Sequence, residues 1–302
     1  MKPAHRYATA TAFRIALEAR LKSLAQAEGV VLQRLRRQVS FDRLLARLFS
    51  EPNAPWLLKG GYAMELRLRS ARTTKDIDLS FPGEVERKGD VLERLQDRAA
   101  TDMGDYFTFA IGLPQMDLDG APEGGSRYPA VASLAGRVFT KFHLDVGIGD
   151  AIVRPTEVVR GRDWLEFAGI PLVPCVAISM EQQFAEKLHA YTRQRERANS
   201  RVKDLVDMAL LVKMGMLESP KLKEAIQMTF EQRGTHAVPT VLEGSTKNPS
   251  PPHRSQPRNR GSCRCCRIQR RYGSAGLPLP TERLFTEMLS ERLVGSGGAH
   301  LR

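Results

Sequence analysis

The stretch Asp76-Ile77-Asp78-Leu79-Ser80-Phe81 alternates polar and apolar residues as a half-buried β-strand does, and its first two polar positions are carboxylates. Side chains at i and i+2 of a strand share a face, so Asp76 and Asp78 project together, about 6–7 Å apart along the strand. Two negative charges that close repel unless something positive lies between them. A hard divalent cation with oxygen ligands resolves the conflict, and Mg²⁺ takes one or two carboxylates together with substrate phosphates. The tripeptide alone fits equally a pair of solvated residues on the polar face of an exposed strand.

Upstream, Trp56-Leu57-Leu58 reads as a short buried strand and Tyr62–Arg69 as a helix, so Gly60-Gly61 closes one and opens the other. At such a junction glycine permits close backbone approach, and helix N–H groups can face an anion. By itself Gly-Gly is also an ordinary turn. Downstream, Arg137–Ile148 has a strand pattern in which Asp145 is the polar residue among Phe142, Leu144 and Val146. It supplies a third carboxylate if that strand lies beside the one bearing Asp76 and Asp78. Asp150 follows Gly149 and reads as a turn residue.

Apolar residues at three- and four-residue spacing predict two helices at the start of the chain, over residues 11–28 and 30–49. A further helix is expected over Asp90–Ala100 and a strand over Tyr106–Ile111, with Pro155–Val159 and Trp164–Pro171 finishing the sheet. From Ser179 the period becomes helical, with stripes Phe184, Leu188, Tyr191 and then Val202, Leu205, Val206, Ala209, Leu210. A third helix, near Lys221–Gln232, ends by Gly234. Lys187 borders the first stripe, so its stem can be buried while its ammonium reaches a cleft; an exposed lysine fits as well. Arg201, Asp204 and Asp207 recur every three residues opposite the second stripe, where Arg201 and Asp207 read as an intrahelical ion-pair ladder and Lys203 as solvated.

The chain has 302 residues, 42% hydrophobic and 26% charged, which predicts a folded body of two domains or one domain with an appendage. No apolar run approaches the ~20 residues of a membrane span, and the N-terminus lacks the pattern of a secretory signal, so a cytoplasmic location is expected. Net charge is +12, of which residues 241–302 carry +7. A modest positive balance fits polyanion handling and ordinary enzymes alike. Cys175 is the one cysteine of the body, and Cys263, Cys265 and Cys266 lack the spacing of a zinc site. Gly244–Pro280 is rich in Pro, Ser, Arg and Gly without periodicity and is expected to be disordered, with a frameshifted terminus as our explanation and a natural basic arm as the alternative. Leu284–Leu293 has the pattern of a short helix.

Four segments occur in an order that resembles the AbiEii-type nucleotidyltransferase toxins, within the polymerase-β-like nucleotidyltransferase superfamily: Leu58-Lys59-Gly60-Gly61-Tyr62-Ala63, Arg72-Thr73-Thr74-Lys75-Asp76-Ile77-Asp78-Leu79, Glu186-Lys187-Leu188-His189-Ala190 and Arg201-Val202-Lys203-Asp204-Leu205-Val206-Asp207. The resemblance spans roughly residues 10–243. It implies an α+β fold: a polymerase-β-like core with a small mixed sheet and N-terminal helices over 1–178 and a C-terminal helical part over 179–243; residues 244–302 fall outside the resemblance and are read, from their composition, as a disordered or aberrant basic tail. It further implies that Gly60 and Gly61 hold a nucleoside triphosphate and that Asp76 and Asp78 bind Mg²⁺ with Asp145 as third ligand. Lys187 would contact phosphate, and Asp204 would be a catalytic or structural acid. The implied reaction is attack of an acceptor hydroxyl on the α-phosphate with release of pyrophosphate. The implied acceptor is RNA, foremost the 3′ end of a tRNA, and the implied partner is a cognate AbiEi-type antitoxin encoded nearby, in a phage abortive infection system. Two alternatives stand beside it: transfer to a small molecule such as an antibiotic, and a catalytically inactive nucleic-acid-binding protein.

Overall fold

A computed structural model describes residues 6–68, 71–81, 88–118, 120–194 and 201–239. The expectations for Gly244–Pro280, Leu284–Leu293 and the three clustered cysteines lie outside the described residues. In chain order the elements are α1 (Ala10–Glu28), α2 (Leu32–Leu48), β1 (Leu57–Lys59), α3 (Gly60–Arg67), β2 (Asp76–Phe81), α4 (Lys88–Ala99), β3 (Phe107–Ile111), β4 (Met116–Asp117), β5 (Gly125–Leu134), β6 (Arg137–Ile148), β7 (Glu157–Val159), β8 (Cys175–Ala177), α5 (Met180–Thr192), α6 (Val202–Lys213) and α7 (Ser219–Arg233). The result is the mixed α/β architecture that the sequence predicts.

One mixed sheet organises the rest. Its strand order is β3-β5-β6-β2-β1-β8-β7, with the short β4 paired to β5. Strand β2 is central, parallel to β6 on one side and antiparallel to β1 on the other. Its odd-numbered members Ile77 and Leu79 are fully buried and meet Leu144 and Val146 of β6, so the face opposite is left to the carboxylates.

Apolar residues gather in three clusters. The first lies under the sheet and takes in the end of α2, Tyr62 and Ala63 of α3, and Val91 and Leu95 of α4. The second is built by α5, α6 and α7 through Phe184, Leu188, Met208, Leu211, Ile226 and Phe230, and draws Met64, Ala71 and Val153 into it. The third seats α1 against the far edge of the sheet through Phe13, Leu17 and Leu21. Helix α2 also buries two cations, Arg43 and Arg47, each 2.6 Å from a carboxylate oxygen of Asp105. Helix α5 is capped by Ser179, whose hydroxyl accepts the Gln182 N–H at 3.1 Å and satisfies one of the first-turn donors.

Two features depart from the expected layout. The long strand β5 is not predicted by the sequence, because Pro129 and the alanines at 130 and 132 weaken its strand signal. The stretch Trp164–Pro171, expected as strand, holds a single 3₁₀ turn over Glu166–Ala168; the sheet is completed by β8, after Pro174. Among the described residues no helix is long and apolar enough to cross a membrane.

Candidate active site

A row of four charged residues runs across the open face of the sheet. Register pairs Arg127 of β5 with Asp145 of β6, Asp145 with Asp78 of β2, and Asp78 with Lys59 of β1. Adjacent strands lie about 4.8 Å apart, so the row brings two carboxylates side by side between two cations. Asp76 lies one pleat along β2, beside His143, whose Nδ1 is 3.3 Å from its Oδ1. The structure therefore brings Asp76, Asp78 and Asp145 to one face. Arg127 closes on Asp145 in a bidentate pair, with Nε and Nη2 at 2.7 and 2.6 Å from the two oxygens, while Nη2 is 3.8 Å from Asp76. Burial pushes the Asp78 carboxyl up to about 6, and the neighbouring Asp145 adds to the rise; the Gly61 N–H, Lys59 and Lys187 act against it.

Gly60 and Gly61 sit on this face because nothing larger fits. Gly60 has φ +64°, and a Cβ there would fall 2.1 Å from Asp78 Oδ2; one on Gly61 would fall 2.8 Å from Thr74 Oγ1. The turn is pinned from both sides. The Gly61 N–H donates to Asp78 Oδ2 at 3.2 Å, so the helix terminus that the sequence offers to an anion faces the protein's own carboxylate. From α5, Gln183 donates to the Gly60 carbonyl at 2.6 Å while its own oxygen accepts from Arg67.

Lys187 is buried, and its Nζ lies 2.6 Å from Asp207 Oδ2 and 3.4 Å from Asp204 Oδ1. Asp207 also accepts from Arg72, at 3.0 Å from Nη2, and is 1% exposed. This corrects the ladder reading: Arg201 does pair with Asp204 at 3.3 Å, but Asp207 points inward and joins α6 to both α5 and the segment that leads into β2. Asp204, buried at the start of α6, shares the Lys187 ammonium with it. The sequence signal for this was already present: Arg72 and Asp207 both belong to the quoted motifs, yet only contact between elements gives them a common function.

A second buried network lies behind the glycine turn. The Lys59 ammonium reaches Asp150 and lies 3.6 Å from Glu186; Arg233 of α7 reaches Asp150 at 3.1 Å and Glu186 at 3.6 Å. Ser80 donates to Asp150 at 3.0 Å. Burial alone would lower the Lys59 pKa, but Glu186 and Asp150 outweigh it and raise it. Asp150, read from sequence as a turn residue, is thus a buried anion joining β1, β2 and α7. Gly147 makes room for it, since a Cβ there would lie 3.2 Å from both Lys59 Nζ and Asp150 Oδ2.

The donor chemistry of the carboxylate face suits a hard cation. Asp76 and Asp78 offer oxygen ligands on one strand, the number that Mg²⁺ takes beside phosphate oxygens. Asp145 gives both oxygens to Arg127, and among the described residues no three His, Cys, Asp or Glu side chains are grouped as a metal cage. The fit is therefore to two carboxylates, with the third held by a guanidinium.

Among solved structures, the chain is similar to the nucleotidyltransferase toxin MenT4 of Mycobacterium tuberculosis, with a TM-score of 0.50 and 18% identity over 69% of this chain and 68% of that one. JHP933 of Helicobacter pylori matches with a TM-score of 0.40 and 16% identity, over 67% of this chain and 80% of that one. At such identities the likeness to MenT4 concerns the fold. A comparison with curated proteins gives no match. The family profile described as "Nucleotidyl transferase AbiEii toxin, Type IV TA system" matches residues 43–264, well over half of the chain and every motif residue of the site. The chain belongs to the AbiEii family of nucleotidyltransferase toxins from type IV toxin–antitoxin systems.

Proposed function

We infer that this nucleotidyltransferase uses Mg²⁺ to move a nucleotide from a nucleoside triphosphate to a hydroxyl of RNA, foremost the 3′ end of a tRNA. It does so in the cytoplasm as the toxin of a phage abortive infection pair, opposed by an AbiEi-type antitoxin. One observation carries the reading: Asp76, Asp78 and Asp145 share one face of the sheet, with the Gly60-Gly61 turn packed directly on Asp78. The RNA acceptor rests on the likeness of the four motifs to their family.

In this reading Asp76 and Asp78 would hold the cation, and Asp145, which Arg127 engages through both oxygens here, would join as a third ligand only on leaving that pair. Mg²⁺ held there would supply Lewis-acid chemistry, favouring ionisation of the acceptor hydroxyl and offsetting charge on the phosphate oxygens. The side-chain-free turn at Gly60 and Gly61 lets the triphosphate lie against the backbone. Lys187 brings a positive charge to the phosphates, and Asp204 fixes its ammonium. The hydroxyl attacks the α-phosphate and pyrophosphate leaves, so positioning and electrostatics do most of the work. The reading assigns this chemistry to a nucleotidyltransferase part over 1–178 and a helical part over 179–243.

Incubation with radiolabelled nucleoside triphosphates, Mg²⁺ and total tRNA tests it. Label should enter RNA with the wild-type protein and not with Asp78→Ala. Label in a low-mass product instead would replace RNA by a small-molecule acceptor, and RNA that is bound but unlabelled would mark an inactive binder.

A further inference from the structure

The two cations that end the charged row are held very differently. Lys59 is 12% exposed and its ammonium is engaged in the buried network with Asp150 and Glu186. Removing it would leave two buried carboxylates to share Arg233, so it is fixed. Arg127 is 30% exposed, and among the described residues its ion pairs are with Asp145 and Asp76, the same carboxylates that face the cation site. It stands directly across from Asp145 on the adjoining strand, so its fork meets both oxygens without leaving its own strand's face. A guanidinium is charged at any working pH, so the pair is a full ion pair.

Burial makes the opposite demand on the anions. Asp145 is 13% exposed and stands in register beside Asp78, so two carboxylates share a poorly solvated place. A pair of ionised carboxylates so placed is stabilised by a positive charge beside it. An arginine that can return to solvent supplies it while leaving the place open to another cation.

We propose that Arg127 is the resident counter-ion of the carboxylate face and that the divalent cation displaces it: the guanidinium neutralises Asp145 and Asp76 in the metal-free protein and releases Asp145 when metal enters. Arg127 is then a positioning residue that keeps the three carboxylates gathered on one face before metal arrives and competes with the metal for them. The inference rests on the reading of Asp76 and Asp78 as metal ligands, and its test separates the two.

Mn²⁺ binding, followed by electron paramagnetic resonance on the nucleotide-free full chain, is the direct measurement, with thermal unfolding at increasing Mn²⁺ beside it. Arg127→Gln should bind Mn²⁺ about tenfold more tightly than wild type, as expected when a competing charge-assisted pair is removed. It should melt lower without metal and gain more from metal. Arg127→Lys keeps the charge without the fork and should fall between the two; it is the deciding variant if Arg127→Gln does not fold. Unchanged or weaker Mn²⁺ binding in a folded variant overturns the counter-ion role while leaving the metal site standing. Absence of Mn²⁺ binding in wild type and variants alike, or binding undiminished by Asp78→Asn, overturns the metal-site reading itself and the counter-ion proposal with it.

Discussion

At Gly60 the backbone conformation and the chemistry make the same demand. The φ of +64° costs an alanine about 1 kcal/mol or more, and its methyl would occupy the space of Asp78 Oδ2. Gly60→Ala should therefore lower the melting temperature and reduce nucleotide transfer about a hundredfold, since displacement of a reacting group by an ångström has that order of effect. Initial rates with labelled nucleotide measure it. Asp42 offers a different residue-level test, away from the site. Its carboxylate accepts from Tyr62 at 2.6 Å and Trp164 at 2.8 Å, and burial pushes it up to about 7 despite those bonds and Arg43; nearby Glu65 adds to the rise. The folded protein then holds a proton that the unfolded chain, with its ordinary carboxyl near 4, has released. Stability attributable to Asp42 is full below about pH 4 and is lost as pH rises through about 7. Asp78 contributes in the same direction up to about 6, so the comparison is with Asp42→Asn. That variant should match wild type near pH 4 and exceed its melting temperature at pH 8.

Between elements, the buried ion pairs fix which helix sits where. Asp150 ties Lys59 of β1 and Ser80 of β2 to Arg233 of α7, while Asp207 ties α6 to Lys187 of α5 and to Arg72. Asp150→Ala would leave Lys59 and Arg233 with Glu186 as their one carboxylate partner among the described residues, 3.6 Å from each. Stranding buried cations costs about 3–5 kcal/mol, and urea denaturation should show a loss of that order. These ties also mark where sequence reading stops. Strands β2 and β6 and helices α5 and α7 were legible because each carries its own periodicity, and Asp76, Asp78 and Asp145 follow from that periodicity. Arg127 was not, since it lies on β5, whose proline and alanines hide the strand. The inward turn of Asp207 and the burial of Asp150 depend on elements far apart in sequence, and no spacing within α6 or after Gly149 encodes them.

At the scale of the whole molecule, the candidate site straddles two of the three apolar clusters. The carboxylates ride on strands seated by Ile77, Leu79, Leu144 and Val146, whereas Lys187, Asp204 and Asp207 ride on helices seated by Phe184, Leu188, Met208 and Leu211. The third cluster, which holds α1 against the sheet edge, contributes no residue to the carboxylate face or to the Lys187 triad. Loosening the helical cluster should therefore move Lys187 relative to Asp78, and loosening the α1 cluster should not. Leu188→Ala and Leu17→Ala make a matched pair, as both leucines are fully buried and each truncation costs about 2–5 kcal/mol. Assayed well below both melting temperatures, Leu17→Ala should keep its transfer rate within about twofold of wild type, while Leu188→Ala should lose more than tenfold, consistent with the sensitivity of catalysis to positioning. Equal losses in the two variants would mean that activity follows overall stability, and that the helical part does not hold Lys187 in place for the reaction.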